Sequence, residues 1–167
     1  MRKWILRIGL SVAVIAWMAV IFLLSAEDGD ESSHTSDVVV DAVIGAAEGL
    51  HLVKPENVTA AVRDKVSFFV RKAGHVTEYA ILAVLIAGCL FAWGVSRRRV
   101  AFCVAWAAAA VYAMTDEYHQ RSVAGRAGQW RDVVIDAAGA AAGVLILWLI
   151  LCVIRLKNVV KSNKSDA

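Results

Sequence analysis

The sequence predicts an all-α fold, a polytopic membrane protein in which four transmembrane helices form a bundle, with short helices in the first extracytoplasmic loop. Of its 167 residues 59% are hydrophobic and 20% are charged, and the mean hydropathy is +0.61. A typical soluble domain is about half apolar and a quarter charged, so this chain is too apolar for that class. The same composition excludes intrinsic disorder, and the three widely spaced cysteines exclude a disulfide scaffold.

Four apolar runs are candidates for spanning helices, which need about 20 residues to cross about 30 Å of hydrocarbon. They cover about residues 4–24, 74–93, 100–116 and 133–154. The second run reaches full length only by including His75 and Glu78, and the fourth carries Asp136 near its start. The first run is longer than the apolar part of a secretory signal peptide, which favours a retained anchor. We predict a single membrane domain over residues 1–167.

The distribution of Lys and Arg predicts the orientation, because cytoplasmic loops carry an excess of these residues. The N-terminal segment, the link between the second and third runs, and the tail at residues 155–167 hold ten of the 18 basic residues. The same three segments contain one acid, Asp166. Both termini are therefore predicted to be cytoplasmic. These basic residues are expected to contact the lipid bilayer, and no nucleic-acid partner is predicted.

Residues 25–72 form the predicted outer loop, and their pattern predicts a pair of short helices above the outer mouth of the bundle. An acidic, turn-prone run at residues 27–31 precedes a helical pattern through Val38–Ile44. Pro55 fits the first turn of a second helix, after which apolar residues recur at amphipathic spacing. The loop is too short to bury a core of its own, so no separate soluble domain is predicted.

Ionisable side chains at membrane depth are the strongest functional signal, because they are costly inside a bilayer. Arg71, His75 and Tyr79 follow one another at four-residue spacing, which predicts a shared face of the second helix. Polar pairs at the same spacing end the third run and open the fourth, and the predicted topology brings all of them to one side. The candidate ligand-binding residues are Arg71, Lys72, His75, Glu78, Tyr79, Asp116, Glu117, Gln120, Arg126, Asp132 and Asp136.

Two glycines continue this pattern along the fourth run. Gly139 and Gly143 are four residues apart and form a stripe of small residues, which lets another helix approach closely. Because the stripe follows directly on Asp132 and Asp136, we predict a helix-packing role for both glycines next to the polar residues.

The polar residues have three interpretations. They could form a structural network that fixes helix register. They could bind a phosphate or carboxylate through Arg126, Arg71 and Lys72, with aromatic side chains lining a groove for an acyl chain. They could also form a metal-dependent hydrolase, using carboxylates with the imidazoles of His75 and His119. No HExxH pair supports this third interpretation, so we assign no metal ligands and identify no cofactor.

The combined spacing resembles the VanZ-like family of small bacterial membrane proteins. The residues that carry the resemblance are Arg71-Lys72-x-x-His75-x-x-x-Tyr79, Asp116-Glu117-x-x-Gln120, Arg126, Asp132, Asp136, Gly139 and Gly143. The first span, which runs into Ile21-Phe22-x-x-Ser25, also resembles the N-terminal part of the family. The family is named for a member associated with low-level resistance to teicoplanin, so the resemblance implies a cell-envelope role in the bacterial cytoplasmic membrane. Teicoplanin is a lipoglycopeptide that carries an acyl chain and acts at the outer membrane face, the side on which the charge distribution predicts the polar residues.

The resulting functional prediction is an amphiphile-binding site at the outer leaflet, for an envelope lipid intermediate or a lipoglycopeptide. Arg126 would hold an anionic group, Asp116 and Glu117 would orient the ligand, and His75 and Tyr79 would complete the site. Two alternatives stay open, namely an enzyme that hydrolyses or transfers envelope lipids, and a structural partner of another membrane protein. The sequence predicts no oligomeric state.

Overall fold

The fold is seen in a computed structural model that describes residues 1–26, 29–123 and 129–165, with the backbone alone at residues 29–35, 159–160 and 162–165. Every regular element within these residues is helical. The α-helices are α1 (Arg2–Ala26), α2 (Gly29–Gly49), α3 (Ala60–Ala92), α4 (Arg98–Gln120) and α5 (Trp130–Ser165), and a 3-10 turn (Pro55–Asn57) precedes α3.

Four of these helices are long and apolar enough to cross a membrane, namely α1, α3, α4 and the Trp130–Asn158 part of α5. Their outward faces remain apolar, as Ile8, Ile15 and Leu149 illustrate, with about half or more of each side chain exposed. A soluble monomer rarely exposes so much contiguous apolar surface, whereas lipid chains solvate it without penalty. The prediction of an all-α, four-helix membrane bundle is therefore confirmed.

Helix α3 is much longer than the span expected at residues 74–93. It begins at Ala60 and so includes the stretch expected to form the second short helix of the outer loop. Neither proline nor glycine occurs at residues 60–73, so nothing in this stretch interrupts the helix. Its 33 residues measure about 50 Å, against about 30 Å of hydrocarbon, so the helix is longer than a simple crossing requires. Within residues 25–72, α2 is the one separate α-helix among the described residues.

Helix α2 lies against this extension of α3. Arg63 of α3 donates to Asp41 Oδ1 of α2 over 2.7 Å, and Val40 of α2 is fully buried. The ion pair is largely exposed, so it contributes little to holding the two helices together.

Helices α2 and α3 each end in the same type of hydrogen-bonded turn. After α3, the Gly94 N–H donates to the Phe91 carbonyl and the Val95 N–H donates to the Leu90 carbonyl, which is the Schellman pattern. That pattern needs a left-handed residue, and Gly94 supplies it with φ of 102°. After α2 the same position is held by His51 at φ of 57°, which is strained for a residue with a Cβ.

A close backbone contact joins α3 to α5. A Cβ built on Gly139 would lie 2.8 Å from the Val76 Cα, and one built on Gly143 would lie 2.8 Å from the Ala80 Cα. No side chain fits at those distances, so both glycines let the two backbones touch.

Helix α1 is attached by indole and phenol groups that reach backbone carbonyls. Trp17 Nε1 donates to the Glu78 carbonyl of α3 over 2.9 Å. Tyr112 of α4 donates its hydroxyl to the Met18 carbonyl of α1 over 2.7 Å. These two bonds fix α1 beside the part of the bundle that carries the polar residues.

Candidate functional site

The centre of the candidate site combines one side chain from each of three helices. Tyr79 of α3, Asp116 of α4 and Asp136 of α5 are 0%, 3% and 2% exposed, and the Tyr79 hydroxyl lies within electrostatic range of both carboxylates. Within the described part of the chain, the Tyr79 hydroxyl and one oxygen of each carboxylate are buried without a hydrogen-bond partner. Buried polar atoms are nearly always paired, so this polar centre has hydrogen-bonding capacity that the described side chains leave open.

His75 lies beside the polar centre, one helical turn before Tyr79. Its Nδ1 atom is 3.9 Å from Asp136 Oδ1 and 3.9 Å from Glu78 Oε2. Both distances are too long for a hydrogen bond, yet they suit an ion pair when the imidazole is protonated. An ionisable side chain therefore lies next to the buried carboxylate of the centre.

An ion pair between Lys72 of α3 and Asp132 of α5 lies at the rim of the polar centre. Lys72 Nζ contacts Asp132 Oδ1, with side-chain exposures of 24% and 26%. Both residues also lie within electrostatic range of Asp136. The lysine thus offsets part of the negative charge that the carboxylates bring together.

Glu117 joins the end of α4 to the start of α5. Its carboxylate accepts a hydrogen bond from the Gln129 N–H, and the residue is 3% exposed. Backbone donors before a helix are left free by the helix itself, so a carboxylate there is a favourable cap. Glu117 therefore helps to fix the direction in which α5 leaves the site.

The sequence analysis did not assign a site role to Ser25, although its side chain is linked through Gln120 to the polar centre. Gln120 Nε2 donates to Ser25 Oγ over 2.6 Å and to Asp116 Oδ2 over 3.2 Å, and all three residues are buried. His119, which was considered only as a metal ligand, packs against Phe22 of α1, with the ring centroids 4.5 Å apart and the ring planes tilted by 42°. No spacing rule links positions 25 and 120, so only the fold could identify this pair.

Arg71, one of the two arginines predicted at the site, is not among the groups that the structure brings together. Arg71 is exposed, whereas Tyr79, eight residues later in the same predicted stripe, is fully buried. An α-helix turns about 100° per residue, so eight residues leave the two side chains about 80° apart. Arg126 lies outside the described residues, and its predicted role stays a prediction.

The small residues of α4 and α5 explain why these polar groups are buried. Ala101, Ala105, Ala109 and Ala113 are fully buried at four-residue spacing, and the next position in that series is Glu117. On α5, Gly139 lies one turn after Asp136 and contacts the residue that follows His75. The close packing along the small residues of α4 and α5 therefore continues up to the polar residues. The alanine series is visible in the sequence, although alanine contributes little to a hydropathy average.

The cluster is rich in hydrogen-bond acceptors and poor in cations. Ionised carboxylates can only accept hydrogen bonds, so they suit hydroxyl, amide and ammonium donors. Among the described residues no group of three or more His, Cys, Asp or Glu side chains is arranged to hold a metal ion. The arrangement therefore suits recognition of a donor-rich group.

Comparison with known proteins identifies the family. The sequence model described as VanZ/LLP1 matches residues 10–151, which includes the whole polar cluster and most of every spanning helix. No match was found among curated proteins or among solved structures. The chain therefore belongs to the VanZ/LLP1 family and is a membrane protein of that family.

Proposed function

We propose that this chain binds the polar head group of a cell-envelope amphiphile at the cluster around Tyr79, Asp116 and Asp136. The observation that carries the proposal is the set of three buried oxygen atoms, one on each helix, without a partner among the described residues. An unsatisfied buried polar atom costs about 1–3 kcal/mol. A head group with hydroxyl or amino donors would remove that cost on binding.

The ligand classes that fit are an envelope lipid intermediate and a lipoglycopeptide such as teicoplanin. Both combine a donor-rich head with a hydrocarbon chain, and the site lies between helices that are apolar enough to cross a membrane. We also propose that the site faces the outer leaflet of the bacterial cytoplasmic membrane, because of the distribution of basic residues. Arg126 would contact an anionic group of the ligand. Family membership supports a membrane protein, and the ligand itself is the proposed part.

A susceptibility assay tests the lipoglycopeptide form of the proposal. A Gram-positive host would express the wild type, Asp136→Asn, Glu117→Gln or Arg126→Ala, with the membrane abundance of each protein measured. We expect the wild type to raise the inhibitory concentration of teicoplanin at least fourfold and that of vancomycin less than twofold. Each equally abundant variant should lose the protection. The matched control is Gly88→Ala, since that glycine has open space around it.

Two results would contradict this form. No protection by the wild type would remove teicoplanin as the ligand and direct the search to envelope lipids. Full protection by all three variants would show that resistance does not depend on the polar cluster. Purified protein in lipid nanodiscs gives the direct measurement, in which Asp136→Asn and Arg126→Ala should each weaken binding of an anionic glycolipid at least tenfold.

Enzymatic modification of an envelope lipid is the second candidate function. It is favoured by the 3.9 Å approach of His75 Nδ1 to Asp136 Oδ1, next to the Tyr79 hydroxyl. A histidine beside a buried carboxylate is suited to general acid–base work. Product formed from a radiolabelled lipid by the wild type, and lost in Glu117→Gln and His75→Gln, would favour this candidate. Lower abundance of these variants with no change in binding or turnover would instead indicate a structural partner.

A further inference from the structure

The end of the bundle opposite the polar cluster holds an arginine in a fixed position. Arg7 lies near the start of α1, 18 residues or about 27 Å before Ser25, whose hydroxyl is linked to the cluster. Its Nε atom donates to the carbonyl of Ala92, the last residue of α3, over 3.0 Å. The last carbonyls of a helix have no partner within the helix and carry partial negative charge. Arg7 therefore joins α1 to the end of α3.

Two tryptophan rings also contact the guanidinium group of Arg7. Its central carbon, Cζ, lies 5.1 Å from the ring centroid of Trp4 and 5.4 Å from that of Trp93. Both distances are within the range of cation–π attraction. The two rings meet edge to face at 6.0 Å, and Trp93 Nε1 donates to Ser11 Oγ over 3.2 Å, which fixes the second ring against α1. The guanidinium is therefore oriented before any ligand binds.

The described residues leave most of the hydrogen-bonding capacity of Arg7 open. A guanidinium has five N–H donors, and here Nε uses one. Within the described part of the chain, neither terminal amino group makes a hydrogen bond, and no carboxylate pairs with this arginine. Two adjacent N–H groups of an arginine match two oxygens of one phosphate. The structure thus presents a partly buried, oriented cation that is able to receive a phosphate.

The sequence around Arg7 is strongly basic. No Asp or Glu occurs at residues 1–26 or 79–115. Five further basic residues occur at the start of α1 and around the link from α3 to α4, namely Arg2, Lys3, Arg97, Arg98 and Arg99. This excess of positive charge favours an anionic ligand over a neutral or zwitterionic one.

We infer that Arg7, in contact with Trp4 and Trp93, binds the phosphate of an anionic phospholipid. The leaflet is the one at this basic end, which the distribution of Lys and Arg predicts to be cytoplasmic. The inference is independent of the proposed function, because it concerns the other end of the bundle and a different ligand. It also goes beyond a general attraction of basic residues to lipid, since it assigns one phosphate to one guanidinium.

The surface next to Arg7 favours a lipid over free phosphate. Trp4 and Trp93 are 57% and 49% exposed, and tryptophan is enriched where spanning helices meet the head groups. Ile5 and Ile8, close to Arg7 on α1, are also largely exposed and suit contact with acyl chains. A choline group beside the two rings would be repelled by the guanidinium that already contacts them. These features favour phosphatidylglycerol over phosphatidylcholine.

Native mass spectrometry of the whole protein in mild detergent tests the inference. The protein is titrated with dioleoyl phosphatidylglycerol or dioleoyl phosphatidylcholine, and the dissociation constant of the first bound lipid is measured. We expect the wild type to bind phosphatidylglycerol at least fivefold more tightly than phosphatidylcholine. Arg7→Gln should weaken phosphatidylglycerol binding at least fivefold. Arg155→Gln removes the same charge from an exposed position near the end of α5 and should change that binding less than twofold.

Arg7→Lys separates the effect of the planar guanidinium from that of its charge. Lysine keeps the charge but cannot form two parallel hydrogen bonds to one phosphate, so we expect at least threefold weaker binding. Circular dichroism checks that each variant keeps its helices. If Arg7→Gln does not fold, Trp4→Leu replaces it, because loss of that exposed ring frees the guanidinium and should weaken binding at least threefold.

Several results would overturn the inference. Equal affinity for the two lipids would contradict the anionic preference, and unchanged affinity in Arg7→Gln would contradict the role of the arginine. Equal losses in Arg7→Gln and Arg155→Gln would indicate diffuse charge attraction. Displacement of the lipid by inorganic phosphate would identify a site for free phosphate instead. Asp136→Asn should leave phosphatidylglycerol binding unchanged, since a loss there would place this lipid at the polar cluster, whereas its effect on glycolipid binding tests the proposed function separately.

Discussion

Replacement of Gly139 by alanine should destabilise the bundle and loosen the polar cluster together. The new Cβ would lie 2.8 Å from the Val76 Cα, about 1 Å closer than carbon atoms pack, so α5 must move away from α3 by a similar distance. Overpacking of this kind costs about 1–3 kcal/mol. The movement would also lengthen the 3.9 Å separation of His75 Nδ1 and Asp136 Oδ1, because those residues are neighbours of the contact.

Thermal unfolding in detergent measures this effect. For a chain of about this size each kcal/mol lowers Tm by about 2–4 °C, so Gly139→Ala should lower Tm by at least a few degrees. The matched control is Gly88→Ala, which adds a methyl group to α3 in open space and removes a helix glycine. It should raise stability by up to about 1 kcal/mol. A Tm for Gly139→Ala at or above that of the wild type would refute the backbone contact between α3 and α5.

Three further predictions concern the rim, a helix end and the serine contact. The swap Lys72→Asp with Asp132→Lys should recover about 0.2–1 kcal/mol relative to the sum of the single changes, measured in a double-mutant cycle; zero coupling would contradict the ion pair. Gly94→Ala should cost about 1–2 kcal/mol, seen as a lower Tm, because φ of 102° is strained for alanine. Ser25→Ala should cost about 1–3 kcal/mol by leaving the buried Gln120 amide short of a partner, and an unchanged Tm would argue against that contact.

The sequence was sufficient to predict the four-helix bundle, because each spanning helix is determined by the length and hydropathy of its own segment. Length and hydropathy identify α1 and α5 directly, since lipid selects continuous apolar helices. A helix in this part of the outer loop was predicted, but its continuity with the second span was not, because the hydropathy signal ends where the membrane ends while the helix continues for several turns. Helix length beyond the bilayer depends on packing against α2, which no window of local sequence contains.

The sequence indicates which residues are candidates for the site but not how they are arranged, and their ligand-binding role stays a prediction. Four-residue spacing correctly placed Gly139 and Gly143 on one face, since over a single turn the rotation is small. Over two turns the accumulated rotation separates Arg71 from Tyr79, and their exposures differ accordingly. The Ser25–Gln120 bond joins α1 to α4, so it depends on how the helices meet rather than on spacing.

Substitution of Tyr79 by phenylalanine distinguishes a functional cluster from a purely structural one. The ring is fully buried, so phenylalanine keeps its packing and removes only the hydroxyl. In a structural network that hydroxyl would be paired, and its loss would cost about 0.5–1.5 kcal/mol. Here it has no partner among the described residues, so Tyr79→Phe should leave Tm unchanged or raise it by a few degrees in the absence of ligand.

The same variant should bind an anionic glycolipid at least fivefold more weakly, because the hydroxyl is one of the groups that would meet the head group. A register-fixing network gives the opposite pattern, with lower stability and unchanged binding. Natural membrane proteins retain buried polar groups at a cost in stability, and an apolar replacement is often neutral or stabilising. A stabilised protein with weakened binding would therefore show that the polar centre is maintained for a ligand rather than for the fold.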